Sequence, residues 1–151
     1  MSVPPAEKRR FFDDLAPRWD DLKPRDGCTP GVERGLALVE PLDGRTVVDL
    51  GCGTGLLEGH LLPRVGEGRI VAIDFSAQML ARARGRHRSR RITWLCRDVL
   101  DSALPDRSVE VVLCFNAFPH FPEPAVTARE FERLLRRNLR GLAGGDLDVD
   151  E

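Results

Sequence analysis

"VVDLGCGTGLLEG", residues Val47–Gly59, sets four glycines into thirteen residues directly behind a run of strand-forming residues. Glycine lets a backbone take positive φ and approach a ligand closely, so a glycine-rich turn at a strand end often holds phosphate. The spacing here argues otherwise. A dinucleotide fingerprint is G-x-G-x-x-G, whereas Gly51, Gly53 and Gly55 run G-x-G-x-G. Leu56 occupies the third fingerprint position and is too large for the close helix–strand contact needed there. A P-loop needs Lys followed by Ser or Thr, and "GTGLLEGH" contains neither pair.

Asp49, two residues before the first glycine, is more informative. A carboxylate at that place repels a pyrophosphate and attracts an ammonium or sulfonium group. The helix N-terminus beyond the glycines can receive a ligand carboxylate. A ligand with a positive group and a carboxylate is an amino acid. Asp74 lies at the end of the next strand, where an acid accepts both hydroxyls of a ribose. An amino acid joined to a ribonucleoside without phosphate describes S-adenosylmethionine.

The surrounding pattern supplies the fold. "TVVDL" (46–50), "RIVAID" (69–74), "RITWLCRD" (91–98) and "VEVVLCFN" (109–116) are near-continuous apolar, β-branched runs separated by helical patterns. The first helix carries Leu56, Leu57, Leu61 and Leu62. In the second, Ser76 is the N-cap, Met79, Leu80 and Ala83 the apolar face, and Gly85 the end. Pro124 opens a last helix with Ala128, Phe131, Leu134, Leu135 and Leu139 on one face. These alternating runs predict an α/β, doubly wound, Rossmann-like parallel sheet of about four strands. Its ligand crevice lies at the strands' carboxyl ends. Asp49 with the glycine turn, Asp74, Asp98 and Asn116 all fall on that rim. Each has a plainer reading as well: Asp49 as a cap on turn amides, Asp98 as a turn residue, Asn116 as a bridge between strand-end backbones.

Upstream, Glu7–Leu22 is an amphipathic stretch interrupted at Pro17, and Gly31–Leu42 is a second helix candidate. Residues 1–45 read as an N-terminal helical lid segment, 46–140 as the Rossmann-like domain, and 141–151 as a disordered acidic tail.

With 151 residues, 42% hydrophobic and net charge −1, the chain has the length and composition of one soluble domain. The balanced charge argues against a dedicated nucleic-acid binder. The six arginines within Arg82–Arg91 read as a solvated helix end, since all but two of the 23 basic residues are arginine. No apolar run reaches membrane-spanning length and the N-terminus lacks a signal-peptide core, so a cytoplasmic location is expected. Cys28, Cys52, Cys96 and Cys114 form no CxxC pair and share no ligand spacing with the histidines, so no metal site is expected and the cysteines read as small buried apolar side chains.

"VVDLGCGTG", "VAIDFSAQML", "RDVLDSALPDRSVEVVLCFNAFPHF" and "AREFERLL" together resemble the successive motifs of class I S-adenosylmethionine-dependent methyltransferases, nearest the small ubiquinone/menaquinone-biosynthesis-like branch. The resemblance covers about residues 7–137. It implies strand order 3-2-1-4, with S-adenosylmethionine as cofactor and a small-molecule methyl acceptor as partner. Asp49, Gly51, Cys52 and Gly53 would line the methionine part, and Asp74 would take the ribose hydroxyls. Phe75 would pack near the adenine, Asp98 would accept from its amine beside Val99, and Asn116 would lie near the methionine end. Phe12 and Trp19 resemble lid residues, although Trp19 reads equally well as helix packing.

His120, in "NAFPHFPEP", is the titratable candidate for a general base, and Phe115, Phe118, Pro119, Phe121 and Pro122 read as an apolar substrate wall or a cover for the sheet edge. The family's strands five to seven have no counterpart before residue 151. A truncated frame, or self-association through the open edge of the fourth strand, is therefore expected. Catalysis is the first reading. The second is a cofactor-binding domain without catalysis that acts through a partner. The third is a nucleotide-dependent oxidoreductase, which Leu56 and Asp49 oppose.

Overall fold

The computed structural model describes residues 4–22, 29–121 and 123–136. Four strands, β1 (Thr46–Leu50), β2 (Arg69–Asp74), β3 (Ile92–Cys96) and β4 (Val111–Leu113), form one parallel sheet in the order β3-β2-β1-β4. Val48 of β1 sits opposite Val71 of β2 and Val112 of β4, which aligns the strand ends along one rim. This is the expected Rossmann-like, doubly wound arrangement.

Strand alternation sends neighbouring residues of β1 and β2 to opposite faces, and both faces are buried. Val47, Ile70 and Ala72 pack beneath Val32 and Leu36 of α2 (Thr29–Ala37), Leu57 and Leu61 of α3 (Leu56–Leu61) and Leu80 of α4 (Ala77–Arg86). Val48, Leu50 and Ile73 pack on the other face with Val99, Val109 and Leu134, the last from α5 (Pro124–Leu134). By the same alternation Asp49 and Asp74 share the first face, at its upper limit beneath α3 and α4.

Several sequence expectations need correction, beginning with the helix candidate 31–42, which forms over Thr29–Ala37, and the third strand, which is Ile92–Cys96 rather than 91–98. The fourth strand is shorter than 109–116. Asn116 takes a left-handed φ of 57° that ends extended structure, while Val109 instead forms a parallel bridge with Leu135. The last helix stops at Leu134, because Leu135 turns extended to make that bridge and the Arg136 amide donates to the Val109 carbonyl. Its buried stripe is Thr127 and Leu134, with Ala128 exposed. Thr127 is accommodated inside because its hydroxyl donates to the Glu123 carbonyl. Leu135 thus bridges the chain just ahead of β4, whose own residues, among those described, pair with β1 alone. Lastly, Cys52 is buried as expected, but Cys96 is exposed and Cys114 only half-buried. Cys28, Pro122, Leu139 and the 141–151 tail lie outside the described residues. Among those described, no helix is long and apolar enough to cross a membrane.

The N-terminal segment comprises α1 (Pro5–Leu15) and two 3₁₀ turns, Ala16–Arg18 and Asp20–Leu22. Two acids hold it to the sheet unit. The Ser76 hydroxyl donates to Asp13 at 2.5 Å, and the Thr54 hydroxyl donates to Asp20 at 2.6 Å. Arg86 also pairs with Asp20 and donates to the Thr54 carbonyl, while Arg84 and Arg91 donate to the carbonyls of Trp94 and Gly66. Much of the arginine cluster is therefore engaged within the fold.

Two glycine substitutions should move stability in opposite directions. Gly55 has φ +80°, and a Cβ there would stand 2.9 Å from the Cβ and 3.2 Å from the Cα of Ala83 on α4. Gly55→Ala is expected to destabilise by about 1–3 kcal/mol in urea unfolding. Gly85, expected from the sequence to end this helix, lies inside α4, which continues to Arg86; nothing stands within 4 Å of its would-be Cβ, so Gly85→Ala is expected to stabilise by about 0.5–1 kcal/mol. Ser76→Ala, which removes the cap on the Met79 amide, should cost about 1 kcal/mol in the same assay.

Candidate functional site

A pocket opens at the carboxyl ends of β1, β2 and β4, and every residue given a cofactor or base role from the sequence lines it. The chain beyond β1 turns sharply: the amides of Gly51 and Cys52 both donate to the Ile73 carbonyl, at 2.8 and 3.0 Å. Gly51 needs its missing side chain, since a Cβ would lie 2.5 Å from the Cβ of Ala117 in the segment after β4. At Gly53, φ +56°, the corresponding space is open, with the Trp19 indole nitrogen 3.9 Å away. The pocket wall there is backbone.

Asp74 anchors the rim. Its Oδ2 accepts the Gly53 amide and its Oδ1 the Ser76 amide, each at 2.9 Å. Burial pushes its pKa above the ordinary carboxylate value, the two amide bonds pull it down, and nearby Asp13 adds to the rise. A carboxylate has about four lone-pair sites, so two remain for a ligand. Asp49 is only 2% exposed and faces the same space from β1. Burial raises the Cys52 thiol well above its usual pKa, with Glu58, Asp49 and Asp74 adding to the effect. Cys114, just past β4, is pushed up to about 11 by burial and by Asp49. Both thiols are neutral at physiological pH and unsuited to be nucleophiles.

Asp98 follows β3 and caps the 3₁₀ turn Val99–Asp101 by accepting the Leu100 amide at 3.0 Å, so its turn role and its place in the pocket coexist. Val99 is buried beside it. Phe75 projects from the β2–α4 turn against Phe12, with ring centroids 5.7 Å apart, and Phe12 meets Trp19 edge-on at 5.6 Å. Asn116 and His120 stand on the opposite wall. His120 is exposed, its ring is edge-on to Phe12 at 5.4 Å, and its carbonyl accepts a hydrogen bond from Lys8 of α1 across the mouth. Of the proposed apolar wall, Phe115 and Phe121 line the pocket, whereas Phe118 packs on Phe121 and Phe131.

Several contributors escaped the sequence reading. Thr54, Asp13 and Asp20 act through tertiary contacts that carry no local signal. Glu58 had one: it lies on the α3 face that carries Leu57 and Leu61, and all three are buried. Among the described residues, no group of three His, Cys, Asp or Glu side chains is placed to hold a metal ion.

Comparison with known proteins agrees with this architecture. A family model described as a methyltransferase domain matches residues 47–138. The trans-aconitate 2-methyltransferase of Azoarcus sp. is 35% identical over 123 residues, spanning 80% of this chain and 47% of that protein. A 2-phytyl-1,4-naphtoquinone methyltransferase of Trichormus variabilis is 28% identical over 144 residues, spanning 89% and 62%. The solved complex of the Haloferax volcanii Trm112 methyltransferase activator with a methyltransferase matches with TM-score 0.69 and 30% identity, over 83% of this chain and 55% of that one. The chain thus spans about half to two thirds of the length of these relatives. With a Rossmann-like sheet in order 3-2-1-4 and a matching domain over most of its described length, the chain belongs to the class I, S-adenosylmethionine-dependent methyltransferase family.

Proposed function

We propose that this chain binds S-adenosylmethionine in the rim pocket and transfers its methyl group to a small-molecule acceptor. The observation that carries the reading is the pair of buried acids, Asp49 and Asp74, on either side of a turn whose Gly53 leaves bare backbone toward the pocket. That donor set suits the cofactor. Asp49 would attract the ammonium group, Asp74 would use its remaining lone pairs for the ribose hydroxyls, and Gly51, Cys52 and Gly53 would offer backbone along the methionine part. Phe75 and Val99 would flank the adenine, Asp98 would accept from its amine, and Asn116 would stand beside the methionine end.

When bound, the cofactor supplies an electrophilic methyl on a sulfonium that is a good leaving group. The protein's task is then alignment and exclusion of water. Phe12 and Trp19, held over the pocket by the Asp13 and Asp20 contacts, fit the second task as a lid. Phe115 and Phe121 give the acceptor an apolar wall. His120 is the candidate base for an acceptor that must lose a proton. The related enzymes take, by name, trans-aconitate and a 2-phytyl-1,4-naphtoquinone, both small molecules, which supports an acceptor of that class.

Calorimetric titration of the full chain tests the binding step. S-adenosylmethionine is expected to bind and NAD not to. No heat with S-adenosylmethionine in well-folded, monodisperse protein sinks the proposal. Asp74→Ala should weaken binding at least tenfold, because it removes the ribose acceptor and frees the Gly53 and Ser76 amides. Phe12→Ala, which opens the aromatic cover, should weaken it by roughly tenfold through lost apolar burial. Formation of S-adenosylhomocysteine with a metabolite pool then separates an enzyme from a binding domain without catalysis. If His120 is the base, His120→Phe leaves cofactor affinity intact and lowers turnover by about 10²-fold.

A further inference from the structure

Glu58 has no role in the binding scheme above, yet it is wholly buried on α3, over the sheet face that also carries Asp49 and Asp74. Both of its oxygens are shut off from solvent, and among the described residues only its own backbone amide and the Asp49 carboxyl reach them. A buried carboxylate with so few donors is severely penalised, so the group must be satisfied in another way. The Asp49 carboxyl lies within hydrogen-bonding reach of it. Two ionised carboxylates are both acceptors and cannot bond to each other. One proton between them turns a buried repulsion into a short, charge-assisted O–H···O⁻ bond.

We propose that Glu58 and Asp49 share this proton, Glu58 acting as a positioning residue that keeps the Asp49 carboxyl aimed at the pocket, and that a cationic ligand seated on Asp49 expels the proton. The groups facing the pair favour proton retention. Asp74 adds negative charge from β2, while Cys52 in the glycine turn and Cys114 beyond β4 are neutral thiols. On its own helix, His60 is engaged by Glu33 of α2 at 2.9 Å. Burial pushes Glu58 up to about 7, opposed by the bonds from its own backbone amide and with Asp49, and Asp74 adds to the rise.

The sign follows directly. A nearby cation lowers the pKa of the carboxyl pair, so the bound state holds fewer protons and affinity rises with pH up to about 7, by at most tenfold per unit. The second half of this inference rests on the S-adenosylmethionine reading; the first does not.

Infrared spectra of the cofactor-free full chain between pH 5 and 8 test the first half. A protonated-carboxyl band should titrate near pH 7 and be missing in Glu58→Gln, whose amide keeps a donor toward Asp49. Absence of that band, or its persistence in Glu58→Gln, overturns the shared proton. Should Glu58→Gln fail to fold, Glu58→Met, similar in volume but without a donor, takes its place in the same spectra. Calorimetry with S-adenosylmethionine at pH 6.5, in two buffers of different ionisation heat, tests the second half. The native chain should release up to one proton on binding and Glu58→Gln none, at similar affinity, while Glu58→Met should bind roughly tenfold more weakly. Equal proton release by native chain and Gln variant overturns the coupling. Absence of binding in the native chain at every pH also overturns it, together with the cofactor reading, and leaves the infrared result to decide the carboxyl pair by itself.

Discussion

The bond pair made by Asp74, to the Gly53 amide on one side and the Ser76 amide on the other, holds the rest of the site in place. A carboxylate buried at a strand end is tolerable only when backbone donors replace the water it has lost. Here those donors come from the two turns that flank the pocket. One interaction therefore ties the β1–α3 turn to the β2–α4 turn and fixes the width of the crevice between them. Ser76 extends the tie, capping α4 through the Met79 amide and receiving α1 through Asp13. Strand, glycine turn, helix cap and N-terminal segment are linked through two buried side chains, Asp74 and Ser76.

The charge in the crevice has one dominant sign. Asp49, Glu58 and Asp74 gather on one face of the sheet around thiols whose own pKa values burial raises. Such an environment disfavours a phosphate and suits a ligand bearing ammonium and sulfonium groups. The same crowding explains why one of the carboxyls must shed its charge in the absence of a cation. Fold stability and ligand preference thus draw on one electrostatic fact.

The edge strand illustrates how a local pattern can be overruled. "VEVVLCFN" has the composition of a long buried strand, but pairing with β1 extends only over Val111–Leu113. Val109 is taken by Leu135, and Asn116 bends the chain into the pocket wall. The last helix shortens for the same reason, since an extended Leu135 satisfies the Val109 backbone better than another helical turn could.

What the sequence determined by itself was the sheet and the place of the pocket at its rim. Apolar runs at the spacing of a doubly wound unit dictate parallel strands, and the connection rules leave their carboxyl ends as the place for a ligand. Asp49, the glycine turn, Asp74, Asp98 and Asn116 were legible because each is a polar break at the end of such a run. Tertiary structure alone decided which groups meet. Glu58 finds Asp49, Asp13 finds Ser76, Asp20 finds Thr54, and Leu135 leaves its helix for Val109. These pairings join residues distant in the chain or set on different elements. Their physical basis, the need of a buried polar group for a partner, appears only once the fold has removed the water.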